Sequence, residues 1–432
     1  MDATRSHPPL NLDVVTSTLL DGRTKGMPHL VEPFELGRIG SLDLSIDDIP
    51  LPVMVLRGSA LEHNLALMAE LCRDRGVALA PHGKTTMAPQ LWERQLAAGA
   101  WGMTAATVAQ ARVMREVGVR RIVLANQLTD APSIRWVASQ LADPDLTFLT
   151  LVDSTQGVGL LEEILVSINP VRPLPVLVEM GHLGGRTGCR TVAEGVRVAS
   201  AVLASPHLWL AGVEAFEGTV GSDRSRATVE AVGALLEQVR TLGGEVGAMG
   251  SFTDQRPMVV SAGGSAFFDL VLEHLAVERW GALPVHVIMR SGCYVTHDHG
   301  FYGSLTPSVS IEGGTQVFEP ALELYGGVLS RPEPDLAIVG FGKRDAPFDL
   351  GMPIPLGLRG RSDGIGDLGT GASIDRMNDQ HAYLRIDAAA RIRVGDVVRC
   401  GISHPCTAMD RWRVIPVIDD EGRVVEAVAT FF

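Results

Sequence analysis

His82 and Lys84 stand two positions apart in the segment VALAPHGKTT, residues 77–86. A lysine amine can act as a nucleophile and form a Schiff base with a carbonyl carbon. Positions two apart on an extended strand face the same side, so we expect both side chains to point into the same space where this strand ends. From position alone, a solvent-exposed lysine at the end of a strand is the commoner alternative.

His404 and Cys406 form a second pair, in the segment GDVVRCGISHPC, residues 395–406. Imidazole and thiolate are ligands that suit zinc. Two protein ligands do not close a structural site, whereas a catalytic zinc would keep positions for water or substrate. The alternative from the residues alone is a small buried cysteine beside a surface histidine.

Two glycine-containing segments could hold a phosphate group. They are SAGGSA, residues 261–266, and RSGCYVTHD, residues 290–298. Glycine lets backbone N–H groups approach a phosphate without a Cβ in the way. Phosphate sites of parallel barrels commonly use the loops after the seventh and eighth strands. A glycine pair is more often an ordinary turn, so the pattern by itself is a weak signal.

The elements that would position these residues follow a regular rhythm from residue 51. Short apolar runs alternate with amphipathic segments such as 61–75, which is typical of parallel βαβ units. The chain is therefore predicted to be α/β with a (β/α)8 TIM-type barrel, and a doubly wound open sheet is the alternative. The predicted strands are 51–56, 77–80, 102–105, 121–126, 146–152, 174–180, 208–214 and 257–261, with a further apolar run at 285–289.

The character of the chain changes near residue 300, where short segments punctuated by Gly and Pro predict a C-terminal antiparallel β domain. The predicted domains are an N-terminal arm at 1–50 that packs on the β domain, the barrel at 51–300 and the β domain at 301–432. A Gly-rich stretch at 355–372 is predicted to be a loop.

Charge and cysteine usage limit the partners and the location. A formal net charge of −13 argues against nucleic acid, because phosphate backbones need clustered Lys and Arg. The five cysteines are scattered and odd in number, which does not fit a disulfide framework. No signal-peptide pattern or membrane-spanning run is visible, so a cytoplasmic protein without membrane contact is expected.

The segment PHGKTTM, residues 81–87, resembles the Pro-His-x-Lys-Thr signature of the D-threonine aldolase and D-serine dehydratase group. That group is a branch of the alanine-racemase-like (fold-type III) pyridoxal phosphate enzymes. The resemblance covers nearly everything from residue 51 onward and looks closest to bacterial amino acid deaminases. Thr86, Met87 and Phe216 depart from the residues that the group often has there. Other segments that resemble the group lie at 88–111, 121–128, 211–218, 334–349 and 402–412.

This resemblance implies a cofactor site in the barrel. Lys84 would hold pyridoxal 5′-phosphate as a Schiff base and act as a catalytic residue together with His82. Arg186, in EMGHLGGRTGC, would contact the phenolic oxygen of the cofactor. The phosphate cradle would consist of Gly263, Gly264, Ser265, Gly292, Cys293 and Tyr294.

The resemblance also implies a metal site and a reaction. His404 and Cys406 would bind Zn²⁺, with Mn²⁺ as an alternative, since dehydratases of the group use such a pair and aldolases tend to have a carboxylate at the cysteine position. The implied enzyme is a dehydratase or deaminase of D-serine or D-threonine that gives a 2-oxo acid and ammonia. An aldolase giving glycine and aldehyde is the nearest alternative; a racemase and a non-catalytic carrier fit less well. A homodimer is expected.

Overall fold

The chain forms a parallel α/β barrel that is followed by a domain built on a largely antiparallel sheet, as the sequence predicted. No helix of the described chain combines the length and the apolar character needed to cross a membrane. The structure is a computed structural model, and it describes residues 7–29, 32–311, 314–359, 368 and 371–432.

Eight parallel strands make up the barrel. Each strand from β2 to β7 pairs with the next one along the chain, and β8 pairs back with β1. An isolated bridge between His82 and Thr104 links the chain after β1 to β2, so the barrel is nearly closed. The strands are β1 (Ala78–Leu79), β2 (Met103–Ala105), β3 (Arg121–Gln127), β4 (Thr147–Val152), β5 (Leu174–Met180), β6 (Leu208–Ala215), β7 (Met258–Ala262) and β8 (Leu283–Met289).

Helices cover the outside of the barrel, so β5 is buried at every position and its sequence is nearly continuous in apolar residues. Five of the helices begin with a side-chain cap that accepts a backbone N–H of the first turn. These caps are Thr107, Asp130, Ser154, Thr191 and Ser225. The helices are Gly58–Asp74, Pro89–Ala97, Val108–Glu116, Ala131–Gln140, Thr155–Ile168, Val192–Leu203, Arg226–Met249 and Phe268–Leu275.

The second domain has the long strand Leu322–Glu333 at its centre. This strand pairs antiparallel with Leu336–Val339, Val397–Gly401 and Val53–Arg57. The other strands of the domain are Ile354–Leu358, Ser373–Met377, Ala382–Arg385, Val414–Ile418 and Val424–Ala429. Shorter elements are the helices Asp13–Thr16, Phe301–Leu305 and Cys406–Met409 and the strands Leu19–Leu20, Phe34–Glu35, Arg279–Trp280, Val309–Ile311 and Gly314–Gln316.

The predicted strand at 51–56 is a strand, but its assignment to the barrel is wrong. Val53–Arg57 pairs antiparallel with residues 322–325 and parallel with residues 417–418 of the second sheet. Its apolar character on both faces reflects burial inside that sheet, which the sequence pattern cannot distinguish from burial in a barrel. The barrel therefore starts at β1, and the apolar run at 285–289 is its eighth strand.

The N-terminal arm contacts both domains. Asn11 N donates to Val117 O of the barrel at 2.9 Å, and Ile46 N donates to Gly422 O of the second domain at 3.0 Å. The domain boundaries at 50 and 300 stay predictions. Of the predicted loop at 355–372, residues 355–358 belong to a strand, and residues 360–367, 369 and 370 lie outside the described chain.

Candidate active site

A cavity of about 140 Å³ lies at the carboxyl ends of the barrel strands. This is the end at which parallel barrels carry their catalytic groups, because the loops after the strands meet there. Both residues of the first predicted pair reach it. The residues that line the cavity are His82, Lys84, Ala106, Ala125, Asn126, Leu151, Glu179, Arg186, Thr187, Glu214, Phe216 and Arg290.

A one-turn 3₁₀ helix, Gly83–Thr85, carries Lys84 into the cavity directly after β1. The side chains of His82 and Lys84 therefore reach the same cavity because of this turn. Strand alternation, which was predicted to give them a common direction, is not the reason. His82 Nδ1 is buried and has no hydrogen-bond partner. Burial, together with the positive charges of Lys84, Arg290 and Arg186, holds the pKa of His82 well below its usual value, so the imidazole is neutral.

Gly292 allows the segment that follows β8 to lie close to the segment that follows β1. A Cβ at this position would lie 2.6 Å from His82 O and 2.8 Å from His82 Cβ. Any larger residue at this position would push the turn that carries Lys84 away from β8.

Arg186 lies in the loop after β5, and its guanidinium stacks over the ring of Phe216 at 4.7 Å. The next residue, Thr187, fixes the loop, since its Oγ1 donates to Glu179 Oε1 at 2.7 Å. Arg186 therefore supplies a positive charge at one wall of the cavity. Its predicted role, a contact to the phenolic oxygen of the cofactor, stays a prediction.

Two buried carboxyl groups and a buried arginine in the cavity wall were missed from the sequence. Arg290 Nη1 donates to Glu214 Oε2 at 2.5 Å, and both side chains are 1% exposed. Arg290 also donates to Ser261 Oγ, and its Nε has no partner. The available signal was a Glu near the end of each of two otherwise apolar strands, β5 and β6.

Burial controls the charge of these acids. Burial and, as the second cause, the negative charge of Glu214 raise the pKa of Glu179 to about 7. Burial also raises the pKa of Glu214, although the Arg290 cation opposes that shift. A carboxyl group that titrates near neutral pH thus faces the same cavity as the lysine.

The two glycine-containing segments come together, since they follow β7 and β8. Cys293 N donates to Ser265 Oγ at 3.1 Å. The N–H groups of Gly263 and Gly264, which were predicted to face a phosphate, both donate to the carboxyl group of Glu217. Glu217 was also missed from the sequence.

The side chain of Tyr294 points away from this region. Its hydroxyl accepts from Gln95 Nε2 at 3.2 Å, and it lines a separate cavity of about 240 Å³ beside the helix Gly58–Asp74. Only the backbone of Tyr294 could therefore contribute to the predicted cradle.

Cys406 brings the second domain to the lysine turn. Its Sγ lies 3.5 Å from Thr85 Oγ1 and 3.6 Å from Cys293 Sγ. The contact between the two thiols lowers the pKa of Cys293 and raises that of Cys406, because one thiol stabilises the thiolate of the other. Cys406 is the first residue of the short helix Cys406–Met409.

His404 is held by an acid that the sequence analysis missed. His404 Nδ1 donates to Asp349 Oδ2 at 2.6 Å, and Thr407 Oγ1 donates to Asp349 Oδ1 at 2.7 Å. A carboxylate on one ring nitrogen orients the other nitrogen toward a ligand, as is usual for metal-binding histidines. Within the described residues, no three His, Cys, Asp or Glu side chains gather as a metal-binding group.

Comparison with known proteins agrees with this architecture. Residues 56–268 match the family described as "Alanine racemase, N-terminal domain", and residues 321–418 match the one described as "Putative serine dehydratase domain". D-Threonine aldolase from an Arthrobacter species is 25% identical over 82% of this chain and 86% of its own length.

Solved structures share the fold. D-Threonine aldolase from Filomicrobium marinum has a TM-score of 0.74 at 23% identity and covers 90% of this chain and 97% of its own. D-threo-3-Hydroxyaspartate dehydratase from Delftia sp. HT23 has a TM-score of 0.68 at 21% identity, with coverage of 88% and 97%. A mutant of D-threo-3-hydroxyaspartate dehydratase was solved in a metal-free form (TM-score 0.70, 21% identity, coverage 90% and 99%). The predicted resemblance is confirmed: a match to the alanine racemase N-terminal domain is followed in this chain by a match to the serine dehydratase domain.

Proposed function

We propose that this protein is a pyridoxal-phosphate-dependent dehydratase, or deaminase, of D-β-hydroxy-amino acids such as D-serine and D-threonine. The products would be a 2-oxo acid and ammonia. The observation that carries this proposal is the contact of Cys406 Sγ with Oγ1 of Thr85, the residue that follows Lys84, which brings the second domain to the lysine turn. Elimination needs a base at the α-carbon and a group that activates the β-hydroxyl, roles in which Lys84 and Cys406 can serve one substrate.

The cavity fits pyridoxal phosphate in its chemistry. Lys84 supplies an amine and Arg186 a cation to the cavity. The glycine-containing loops after β7 and β8, which Cys293 and Ser265 join, are the loops that such barrels commonly use to bind phosphate. Two buried nitrogens in the cavity wall, His82 Nδ1 and Arg290 Nε, have no partner in the protein and could bind a polar ligand. The cofactor would supply an electron sink for charge that develops at the α-carbon.

The chain's own residues then have distinct tasks. Lys84 would attach the cofactor and, once released by the substrate amine, take the α-proton on Nζ. Neutral His82 lines the same cavity as Lys84, and its Nδ1, which has no partner in the protein, is available for a hydrogen bond there. Arg186 would hold the phenolic oxygen as an anion. The Arg290–Glu214 pair keeps a fixed cation in the wall.

His404 and Cys406 would hold a divalent metal, for which an imidazole and a thiolate favour zinc over magnesium, with manganese as an alternative. The metal would act as a Lewis acid toward the β-hydroxyl. Asp349 fixes the ring of His404 through its 2.6 Å hydrogen bond. Hydrogen bonds from Thr407 and His404 keep the pKa of Asp349 below its usual range, although burial alone would raise it.

A D-threonine-type aldolase is the second candidate, because a curated relative bears that name. The same lysine and metal pair could serve carbon–carbon cleavage, in which glycine and an aldehyde result. The thiol at position 406 favours the dehydratase, since the resemblance associates a carboxylate there with aldolases. A homodimer and a cytoplasmic location remain predictions.

Product identity tests the proposal. Purified protein supplied with pyridoxal phosphate and zinc is incubated with D-serine and, separately, with D-threonine. We expect 2-oxo acid and ammonia in equal amounts from both substrates. Glycine and aldehyde as the main products from D-threonine would overturn the dehydratase assignment in favour of the aldolase.

A further inference from the structure

We propose that Glu217 is a positioning residue that fixes the glycine loop, residues 263–265, in the shape that receives the cofactor phosphate. The inference rests on the proposed binding of pyridoxal phosphate. Glu217 does not line the cavity, whereas the preceding residue, Phe216, does. Glu217 would therefore act on the cofactor only through the loop.

The carboxyl group of Glu217 clamps two consecutive backbone amides. It is fully buried, Gly263 N donates to its Oε2 at 3.1 Å, and Gly264 N donates to its Oε1. Gly263 has a φ of +114°, which a residue with a side chain rarely adopts. Burial of a carboxyl group is unfavourable unless it is hydrogen-bonded, so the two amides and the acid depend on one another.

The other side of the glycine loop is tied to the turn after β8. Ser291 Oγ donates to Gly264 O at 3.1 Å, and Cys293 N donates to Ser265 Oγ at 3.1 Å. The loop is thus held between Glu217 and the chain after β8, with Glu217 as the support on the β6 side.

The alternative is that Glu217 competes with the phosphate for the same two amides. In that case its removal would free the amides and tighten cofactor binding. A support has the opposite effect. In Glu217→Gln the side-chain oxygen can accept from one amide only, and the NH₂ group would face the other N–H donor, so the loop must move.

The test compares two ligands that differ only in the phosphate. Dissociation constants for pyridoxal phosphate and for pyridoxal are measured by absorbance titration of the cofactor-free protein. In Glu217→Gln we expect pyridoxal phosphate to bind about 10- to 100-fold more weakly, with pyridoxal changed less than about threefold. Glu179→Gln is the matched control: it alters a buried acid of the cavity wall that does not touch the loop, so the ratio of the two constants should stay at the wild-type value.

Equal weakening for both ligands would make Glu217 a general structural residue and overturn the inference, as would unchanged or tighter binding of pyridoxal phosphate. If Glu217→Gln does not fold, Glu217→Asp gives the same comparison, because its side chain is one methylene shorter and its carboxyl group would no longer reach the amides of Gly263 and Gly264 as Glu217 does. A wild-type protein that binds neither ligand would instead overturn the proposed function, which keeps the two failures distinct.

Discussion

At the scale of single residues, two neighbouring thiols near the lysine turn have different expected roles. Cys406 and Cys293 lie 3.6 Å apart, and each contacts Thr85. Only Cys406 lies two positions from a histidine that Asp349 orients. Cys293 is expected to matter through its backbone, which bonds Ser265.

This difference predicts a contrast in metal content. Cys406→Ser should lose zinc, since a serine hydroxyl is a poor replacement for a thiolate ligand. Cys293→Ser, the matched control, should retain about one zinc per chain. Elemental analysis of the dialysed proteins measures both. Equal retention in the two variants would contradict the assignment of Cys406 as a ligand.

Glu179 predicts a pH dependence of stability. Its pKa is raised to about 7 by burial and by Glu214, so the folded protein keeps a proton that the unfolded chain releases above about pH 4.5. The contribution of this proton to the free energy of unfolding is therefore fully present below about pH 4.5, and it is lost as the pH rises through about 7. Relative to Glu179→Gln, the free energy of unfolding of the wild type should fall by up to about 3 kcal/mol across this pH range.

Urea unfolding of the two cofactor-free proteins at pH 5 and pH 8 measures this loss. A difference between wild type and Glu179→Gln that is the same at both pH values would show that Glu179 does not titrate between them.

At the scale of elements, the sequence predicts the barrel well because each strand is an isolated apolar run. It assigns 51–56 to the wrong sheet, since burial in either sheet gives the same pattern. Lys84, Arg186 and the pair His404 and Cys406 could be singled out because motifs mark them. Glu179 and Glu214 had only a weak signal, a single Glu near the end of an apolar strand. Glu217 had none, because the two amides that donate to it lie more than 40 residues away in the sequence.

The close approach of the segments after β1 and β8 predicts that a side chain at position 292 destabilises the protein. Gly292→Ala would place a methyl group 2.6 Å from His82 O and should lower the free energy of unfolding by about 1–3 kcal/mol. Gly159→Ala is the control, because nothing lies within 4 Å of its Cβ position in a helix, and it should stabilise slightly. Thermal unfolding measures both. No loss at position 292 would contradict the close packing.

At the scale of the whole molecule, the two domains are joined by more than a linker. Val53–Arg57 precedes the barrel in the chain but pairs inside the second sheet. The helix Cys406–Met409 packs on the turn Gly83–Thr85 of the barrel. The candidate site thus draws on both domains, and Lys84 and Cys406 come together although they are more than 300 residues apart in the sequence.

These connections predict that the domains unfold together. Calorimetry of the cofactor-free protein should give one transition, because loss of the second sheet would expose the apolar strand Val53–Arg57 next to the first barrel helix. Two well-separated transitions would contradict this coupling.

Identification of the lysine that carries the cofactor tests the central claim most directly. Borohydride reduction of the protein with bound pyridoxal phosphate, followed by peptide mapping, should place the pyridoxyl group on Lys84. Lys84→Ala, which should still fold because Lys84 is only partly buried, should carry no label. A pyridoxyl group on any other lysine, or none on the wild-type protein, would contradict the account.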